Sequence, residues 1–254
     1  NPKKTHLFLQ SGVPEIAELA YLIANVSMKG ELERVATFKE KARRQPQNVN
    51  LALLSYPVLM AADVLGIAAD EVPVGEDQFQ HLEMVRTFAR RFNKRYAHTF
   101  VEPSVHRFNS VRVQALDGSG KMGKSAGNTI NLTAPKHEIE RLVRAGATDS
   151  GEGAIPEHVQ TLFDFMALFD KGRAHAYKKE RQKGTIRYVQ FKQDLTKMLE
   201  ALIAPIRMRA KKISDRHVLE TLRAGCVAVT PMYAASLERA RVHMGLLPSM
   251  REHR

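Results

Sequence analysis

The chain has 254 residues, 44% hydrophobic and 26% charged, a composition ordinary for a soluble globular protein with material for one large or two modest cores. No apolar run approaches membrane-spanning length, no secretory pattern opens the sequence, and a single cysteine, Cys226, excludes a disulfide framework and a cysteine zinc site. A formal net charge of +12 favours a polyanionic partner, and the cytoplasm is the expected compartment.

The charge is uneven. Residues 136–254 carry 22 Lys and Arg against 14 Asp and Glu, whereas residues 1–135 carry 17 against 13. An RNA-docking second half would give this bias, and so would a surplus that only keeps the surface soluble.

Thr5-His6-Leu7-Phe8-Leu9-Gln10 is a short apolar run before Ser11-Gly12-Val13-Pro14, and it reads as a buried strand feeding a loop, with His6 a structural residue. From Val13 to Met28 the apolar residues Ile16, Leu19, Ala20, Leu22 and Ile23 recur at helical spacing. Gly30 to Arg44 is an acid-then-base amphipathic stretch whose Lys39, Lys41, Arg43 and Arg44 form a solvated face by default.

The segment Tyr56-Pro57-Val58-Leu59-Met60-Ala61-Ala62-Asp63-Val64-Leu65 reads as a buried helix with Pro57 in its first turn. Its one charge is Asp63, which shares a face with Tyr56 and Met60. A carboxylate there either reaches solvent or a neighbouring loop, or it takes a donor from the protein or from a ligand N–H. Val72-Pro73-Val74-Gly75-Glu76-Asp77-Gln78 then reads as a short strand ending at a glycine and turning into a helix. Carboxyl ends of strands are where open α/β sheets bind ligands, although acids at such a place also serve as ordinary helix caps. That helix runs through Phe88 and Phe92, with Arg90, Arg91, Lys94 and Arg95 near its C-terminal end.

Gly118 to Ser125, G-S-G-K-M-G-K-S, could wrap a polyphosphate, because glycines let amides approach and Lys121 and Lys124 offset its charge. It satisfies G-x-x-x-x-G-K-[ST], but that motif needs a helix opening at Lys124-Ser125. Ala126-Gly127-Asn128-Thr129-Ile130-Asn131 is poor helix material. The other readings are a lysine loop, Lys121-Met122-Gly123-Lys124-Ser125, that needs no following helix, and a plain solvated turn. Beyond it the spacing predicts helices over 136–145, 155–169, 189–206, 218–229 and 232–246, with Thr148 to Gly153 a connector and Pro205 ending or kinking its helix. Cys226 reads as core.

Ile-Ala-Glu-Leu-Ala, G-E-L-E-R-x-x-x-F-K-E-K, Y-P-x-L-M-A-A-D, V-P-V-G-E-D-Q-x-Q-H, R-F-N-K-R-Y and K-M-x-K-S follow one another here in the order found in bacterial-type tryptophanyl-tRNA synthetases. The resemblance covers nearly the whole chain, most strongly residues 7–128. It implies an α/β fold: a class I synthetase Rossmann-like nucleotide-binding domain, here lacking its first part, over residues 1–135, then an α-helical tRNA anticodon-binding domain over residues 136–254. Tyrosyl enzymes use a different polar set where this chain has M-A-A-D, so tyrosine is the lesser substrate.

The resemblance also implies roles. Asp63 would accept the indole N–H of tryptophan, with Met60, Val72 and Val74 lining the indole slot and Tyr56 and Gln78 holding the α-amino group. Gly75 and Asp77 would face the ribose of ATP. Lys41, Lys121 and Lys124 would neutralise the triphosphate of Mg2+-ATP in a loop completed by Met122 and Ser125, with no metal held by the protein itself. Gly123 stands where that family usually has Ser, which implies a more mobile loop. The implied partners are tryptophan, ATP, tRNA(Trp) and a second copy in a homodimer, with no membrane. The family's H-x-G-H/N segment is absent, and the expectation is that it lies in an omitted N-terminal segment. The alternative is a truncated, non-catalytic relative that binds tRNA or regulates.

Overall fold

Two separate apolar clusters organise the chain, and they divide it differently from the expected boundary at 135/136. The computed structural model describes residues 4–107, 114–120, 122–123, 127–151 and 153–246. Contacts group Asn1–Ser110 with Asp215–Arg254 as one unit and Val111–Ser214 as the other.

In the first unit, helix α1 (Glu15–Ala24) turns Ile16, Leu19, Leu22 and Ile23 inward, as its spacing predicts. The basic amphipathic stretch is two helices, α2 (Lys29–Arg34) and α3 (Ala36–Arg44), broken at Val35, which takes an extended ψ and is buried. Helix α4 (Leu51–Gly66) opens where the Asn50 side chain accepts from the Leu53 amide. Pro57 therefore lies in the second turn of a longer helix, not in the first turn as expected. Strand β1 (Glu71–Val74), helix α5 (Phe79–Arg95) and strand β2 (Ser104–Arg107) form a parallel β-α-β unit, with Val72 opposite Val105. Arg91 of α5 reaches Glu31 of α2 with two 2.6 Å hydrogen bonds, and this pairing holds the Glu31 carboxyl below its ordinary value.

The expected strand over residues 5–10 is not one. Residues 5–9 are irregular and Gln10–Gly12 is a single tight turn, with Leu7 and Leu9 half or more exposed. Among the described residues no strand pairs with this segment, so its backbone has no ladder to join. It lies instead against a glycine, for a Cβ on Gly225 would fall 2.0 Å from the Leu7 carbonyl oxygen.

Helix α10 (Asp215–His243) replaces the two helices expected over 218–246, because Pro231 sits inside it without ending it. The carbonyl that Pro231 leaves without an N–H partner belongs to Val227, a residue 75% exposed. Val229, Tyr233, Leu237 and Ala240 join the core built by α1, α4 and α5. This helix belongs by contact to the first unit, although its sequence lies within the expected helical domain over residues 136–254. Cys226 is half-buried, its thiol lying over the Leu9 carbonyl.

The second unit packs α6 (Lys136–Arg144), α7 (Glu157–Ala167), α8 (Lys171–Gln182) and α9 (Tyr188–Ala210) around Ile139, Val159, Phe163, Phe191 and Leu195. Leu116 and Ala134 are buried in the same cluster, which is why the stretch before residue 136 goes with these helices. Pro205 does not end α9, and Leu202, expected on its inner face, is 47% exposed. Helix α8 is missed by periodicity because its inner face is Ala174, Tyr177 and an arginine. That arginine, Arg181, is 1% exposed and donates to Asp149 at 2.6 Å and to the Gly153 carbonyl at 2.5 Å. Tyr188 donates to the other Asp149 oxygen, and burial with that carboxylate pushes its phenol up to about 12. The connector over 148–153 is thereby tied to α8 and α9.

Candidate active site

Helix α4 presents Tyr56, Met60 and Asp63 from one face, and all three are half-buried. Val72 and Val74 are the half-buried side of β1 and pack on the first unit's core. The Asp63 carboxylate takes Gln10 Nε2 on both oxygens, at 2.7 and 2.8 Å. Burial pushes its carboxyl above the ordinary value, and the Gln10 bond opposes that shift in part. Tyr233 of α10 donates to the Asp63 main-chain carbonyl at 2.7 Å, and burial, then the Asp63 charge, raises the Tyr233 phenol.

At the end of β1, the Gln78 amide closes a turn on the Gly75 carbonyl at 2.9 Å. The Gln78 side chain donates to Asp77 Oδ2 at 3.1 Å. A Cβ on Gly75 would meet Asp77 Oδ1 at 2.9 Å, so the backbone passes close to that carboxylate only because residue 75 has no side chain. Lys41, in the last turn of α3, stands 4.5 Å over the Tyr56 ring.

Behind Tyr56 lies a trio that the sequence did not single out. The Tyr56 hydroxyl is 2.5 Å from Thr37 Oγ1 and 2.9 Å from His81 Nε2, and Thr37 is 3.0 Å from the same nitrogen. His81 is 3% exposed, and among the described residues its Nδ1 has no partner. Burial, then the Lys41 charge, lowers the imidazole below its ordinary value, with Asp77 opposing. Spacing gives no hint of this trio, because its members come from α3, α4 and α5. The polar end of the run at Gln10 was the one available sign of Asp63's partner.

In the second unit the glycine-rich stretch is held by Asn128, 8% exposed. Its Oδ1 accepts from the Gly123 amide and its Nδ2 donates to Ser119, both at 2.9 Å. Ser119 in turn donates to Asp117. Gly118, Gly120 and Gly127 have positive φ, and Met122 rests on the apolar cluster. Lys121, Lys124 and Ser125 lie outside the described residues. Residues 127–135 contain no helix, and a P-loop would need one running through that stretch. Between α6 and α9 runs a groove of about 890 Å³ that includes Lys136, Arg144, Lys192 and Lys197 together with Glu140 and Glu200. Lys192 is held there by the Arg144 and Gly146 carbonyls at 2.7 Å each, and burial lowers its ammonium.

The first unit thus holds a parallel β-α-β unit whose strand ends at a glycine and a half-buried acid on helix α4, and the second a glycine-rich stretch without a following helix. The chain belongs to the class I tRNA synthetases: residues 1–204 match the family described as tRNA synthetases class I (W and Y). Within it, the chain is 40% identical to the tryptophan–tRNA ligase of Porphyromonas gingivalis, across 96% of this chain and 78% of that protein. It is 36% identical to the tryptophan–tRNA ligase of Helicobacter pylori, with coverage of 97% and 78%. Among solved structures it is similar to the tryptophanyl-tRNA synthetase of Campylobacter jejuni complexed with ADP and tryptophan, with a TM-score of 0.82, 28% identity and coverage of 97% and 78%. Among the described residues no helix is long and apolar enough to cross a membrane.

Proposed function

We propose that this chain acts as a tryptophan–tRNA ligase, activating tryptophan with ATP and passing it to tRNA(Trp). The observation that carries the reading is Asp63, a half-buried carboxylate on one face with Tyr56 and Met60, in a unit whose core also takes the valines of β1. An acceptor in that setting suits the indole N–H, the one polar group of the tryptophan side chain. Phenylalanine offers it no donor beyond the Gln10 amide, a loss for a site built to hydrogen-bond its substrate.

In this reading the tryptophan carboxylate attacks the α-phosphorus of ATP. The new P–O bond forms as the bond to pyrophosphate breaks, and tryptophanyl-adenylate results. The 3′ end of tRNA then displaces AMP. No covalent enzyme intermediate is needed, so this chain contributes alignment and charge. Tyr56 and Gln78 hold the α-amino group, Met60, Val72 and Val74 flank the indole, and Gly75 and Asp77 face the ribose. Lys41, Lys121 and Lys124 offset the phosphate charge, with Met122 and Ser125 completing the loop. Mg2+ enters as the counter-ion of ATP, held by its phosphates. The tRNA-binding role expected of residues 136–254 falls in this reading to α6 to α9, supported by the basic groove of α6 and α9, since α10 packs in the core of the first unit. Action as a homodimer in the cytoplasm belongs to the same reading.

Two measurements test it. The chain contains no tryptophan, so excitation of bound ligand is read without protein background. Tryptophan should bind and phenylalanine should not compete, and tryptophan should drive exchange of pyrophosphate into ATP. Tyrosine or phenylalanine binding as well as tryptophan would reject the assignment. Tryptophan binding without any exchange would favour the non-catalytic alternative.

A further inference from the structure

The imidazole of His81 is 3% exposed beside Tyr56, and nothing in the proposed chemistry uses it. Its Nε2 faces the hydroxyls of Tyr56 and Thr37 at 2.9 and 3.0 Å, and those hydroxyls are 2.5 Å from each other. Three polar atoms so close must share their protons. In a neutral imidazole with bare Nε2, the Tyr56 proton goes to that nitrogen; in the other tautomer it goes to Thr37 Oγ1. Either way the Tyr56 proton has an acceptor inside the trio, and a phenol lone pair is left for a donor from outside.

We propose that His81 is a positioning residue for the substrate amine: as a neutral ring it fixes, with Thr37, the Tyr56 hydroxyl as an acceptor for the α-ammonium, and its protonation sets a like charge against that ammonium. The inference rests on the reading of Tyr56 as an amine-binding residue. A protonated His81 would stand one hydroxyl away from a second cation in a site of low polarity, where like charges repel strongly. The ring is kept neutral by its surroundings. Lys41 of α3 faces it with a positive charge, Asp77 of the turn before α5 opposes that charge, and Tyr56 and Thr37 are its uncharged neighbours on α4 and α3.

Binding of tryptophan and of indole-3-propionate, which keeps the indole and the carboxylate but has no amine, separates this role from a structural one. Both are read by their own fluorescence on the full chain, between about pH 5 and pH 7.5, the range in which histidines change charge. For the wild-type chain, tryptophan affinity should fall as the pH drops below the ordinary histidine value, by up to about ten-fold per unit, beyond any fall seen with indole-3-propionate. Protonation of Asp63 acts on both ligands alike, since both carry the indole N–H. His81→Leu should cost roughly ten-fold in tryptophan affinity at neutral pH and leave indole-3-propionate within about two-fold. His81→Gln, which can still accept through its amide oxygen, should restore most of the affinity and remove the extra pH dependence. Equal losses for the two ligands, or the same extra pH dependence in His81→Gln, would overturn the role of His81 while leaving the tryptophan site standing. A wild-type chain that binds neither ligand would remove the reading of the site itself, and this inference with it.

Discussion

The hydroxyl of Tyr233 donates to the main-chain carbonyl of Asp63 at 2.7 Å, across 170 residues of sequence. Tyr233 is 1% exposed, and its ring fills the space above Gly66, where a Cβ would come within 2.3 Å of it. Tyr233→Phe removes one buried hydrogen bond and should cost about 1 kcal/mol in chemical denaturation. Gly66→Ala forces the ring aside and should cost about 1–3 kcal/mol. Because the two changes meet at one contact, their effects in the double variant should not add.

In the proposed site, Asp63 would trade stability for recognition. Its folded carboxyl is raised above the ordinary 3.8, so the native state holds more protons than the unfolded state just above that pH. Stability contributed by this group therefore falls as pH rises through the window between 3.8 and the folded value. Asp63→Asn should leave the free chain at least as stable at neutral pH, while weakening tryptophan binding. Thermal midpoints of the two proteins tracked across acid pH should diverge in the variant's favour as pH rises; a wild-type advantage that grows instead would contradict the raised carboxyl.

Arg181 offers the opposite case. Its guanidinium is enclosed with Asp149, Tyr188 and the Gly153 and Ala154 carbonyls. Arg181→Met would leave Asp149 half-satisfied and the connector untied, and loss of one partner of a buried pair is costly. Its thermal midpoint should drop more than that of Tyr233→Phe. Burial pushes the Asp149 carboxyl up, but its bonds to Arg181 and Tyr188 outweigh this and bring it below the ordinary value. The stability it contributes is thus present above pH 3.8 and lost as the pH falls through the folded value.

For the lysine loop, Lys124→Ala should slow adenylate formation by roughly a hundred-fold, the scale of losing one charge-stabilising group, with little change in tryptophan affinity. Asn128→Ala, which releases the Gly123 amide and Ser119, should give a smaller slowing in the same step. Pyrophosphate-exchange rates compared with fluorescence affinities decide both; equal exchange rates for Lys124→Ala and the parent would reject its role.

Local signals carried much of this. The spacing of Ile16, Leu19, Leu22 and Ile23 marked α1, and the run from Val72 to Gln78 marked a strand, a glycine and a helix start. What failed depended on distant partners. The run from Thr5 to Gln10 has the composition of a strand, but a strand needs a neighbour to share its ladder. Pro231 looks like a helix end, yet the helix runs through it on a side where Val227, four residues before, is exposed. Arg181 made α8 invisible, because a hydrophobic pattern cannot register an arginine that is buried on account of its partners. In the site, the acid at position 63 stood out as a lone charge in an apolar helix. Thr37 and His81 did not, because their meeting at Tyr56 is a product of three helices.

Helix α10 closes the back of α4, and its residues come after the entire second unit in sequence. During synthesis, then, the face bearing Tyr56, Met60 and Asp63 leaves the ribosome long before its buttress does. The nascent first unit must wait, with part of its core open, while all of Val111–Ser214 is made.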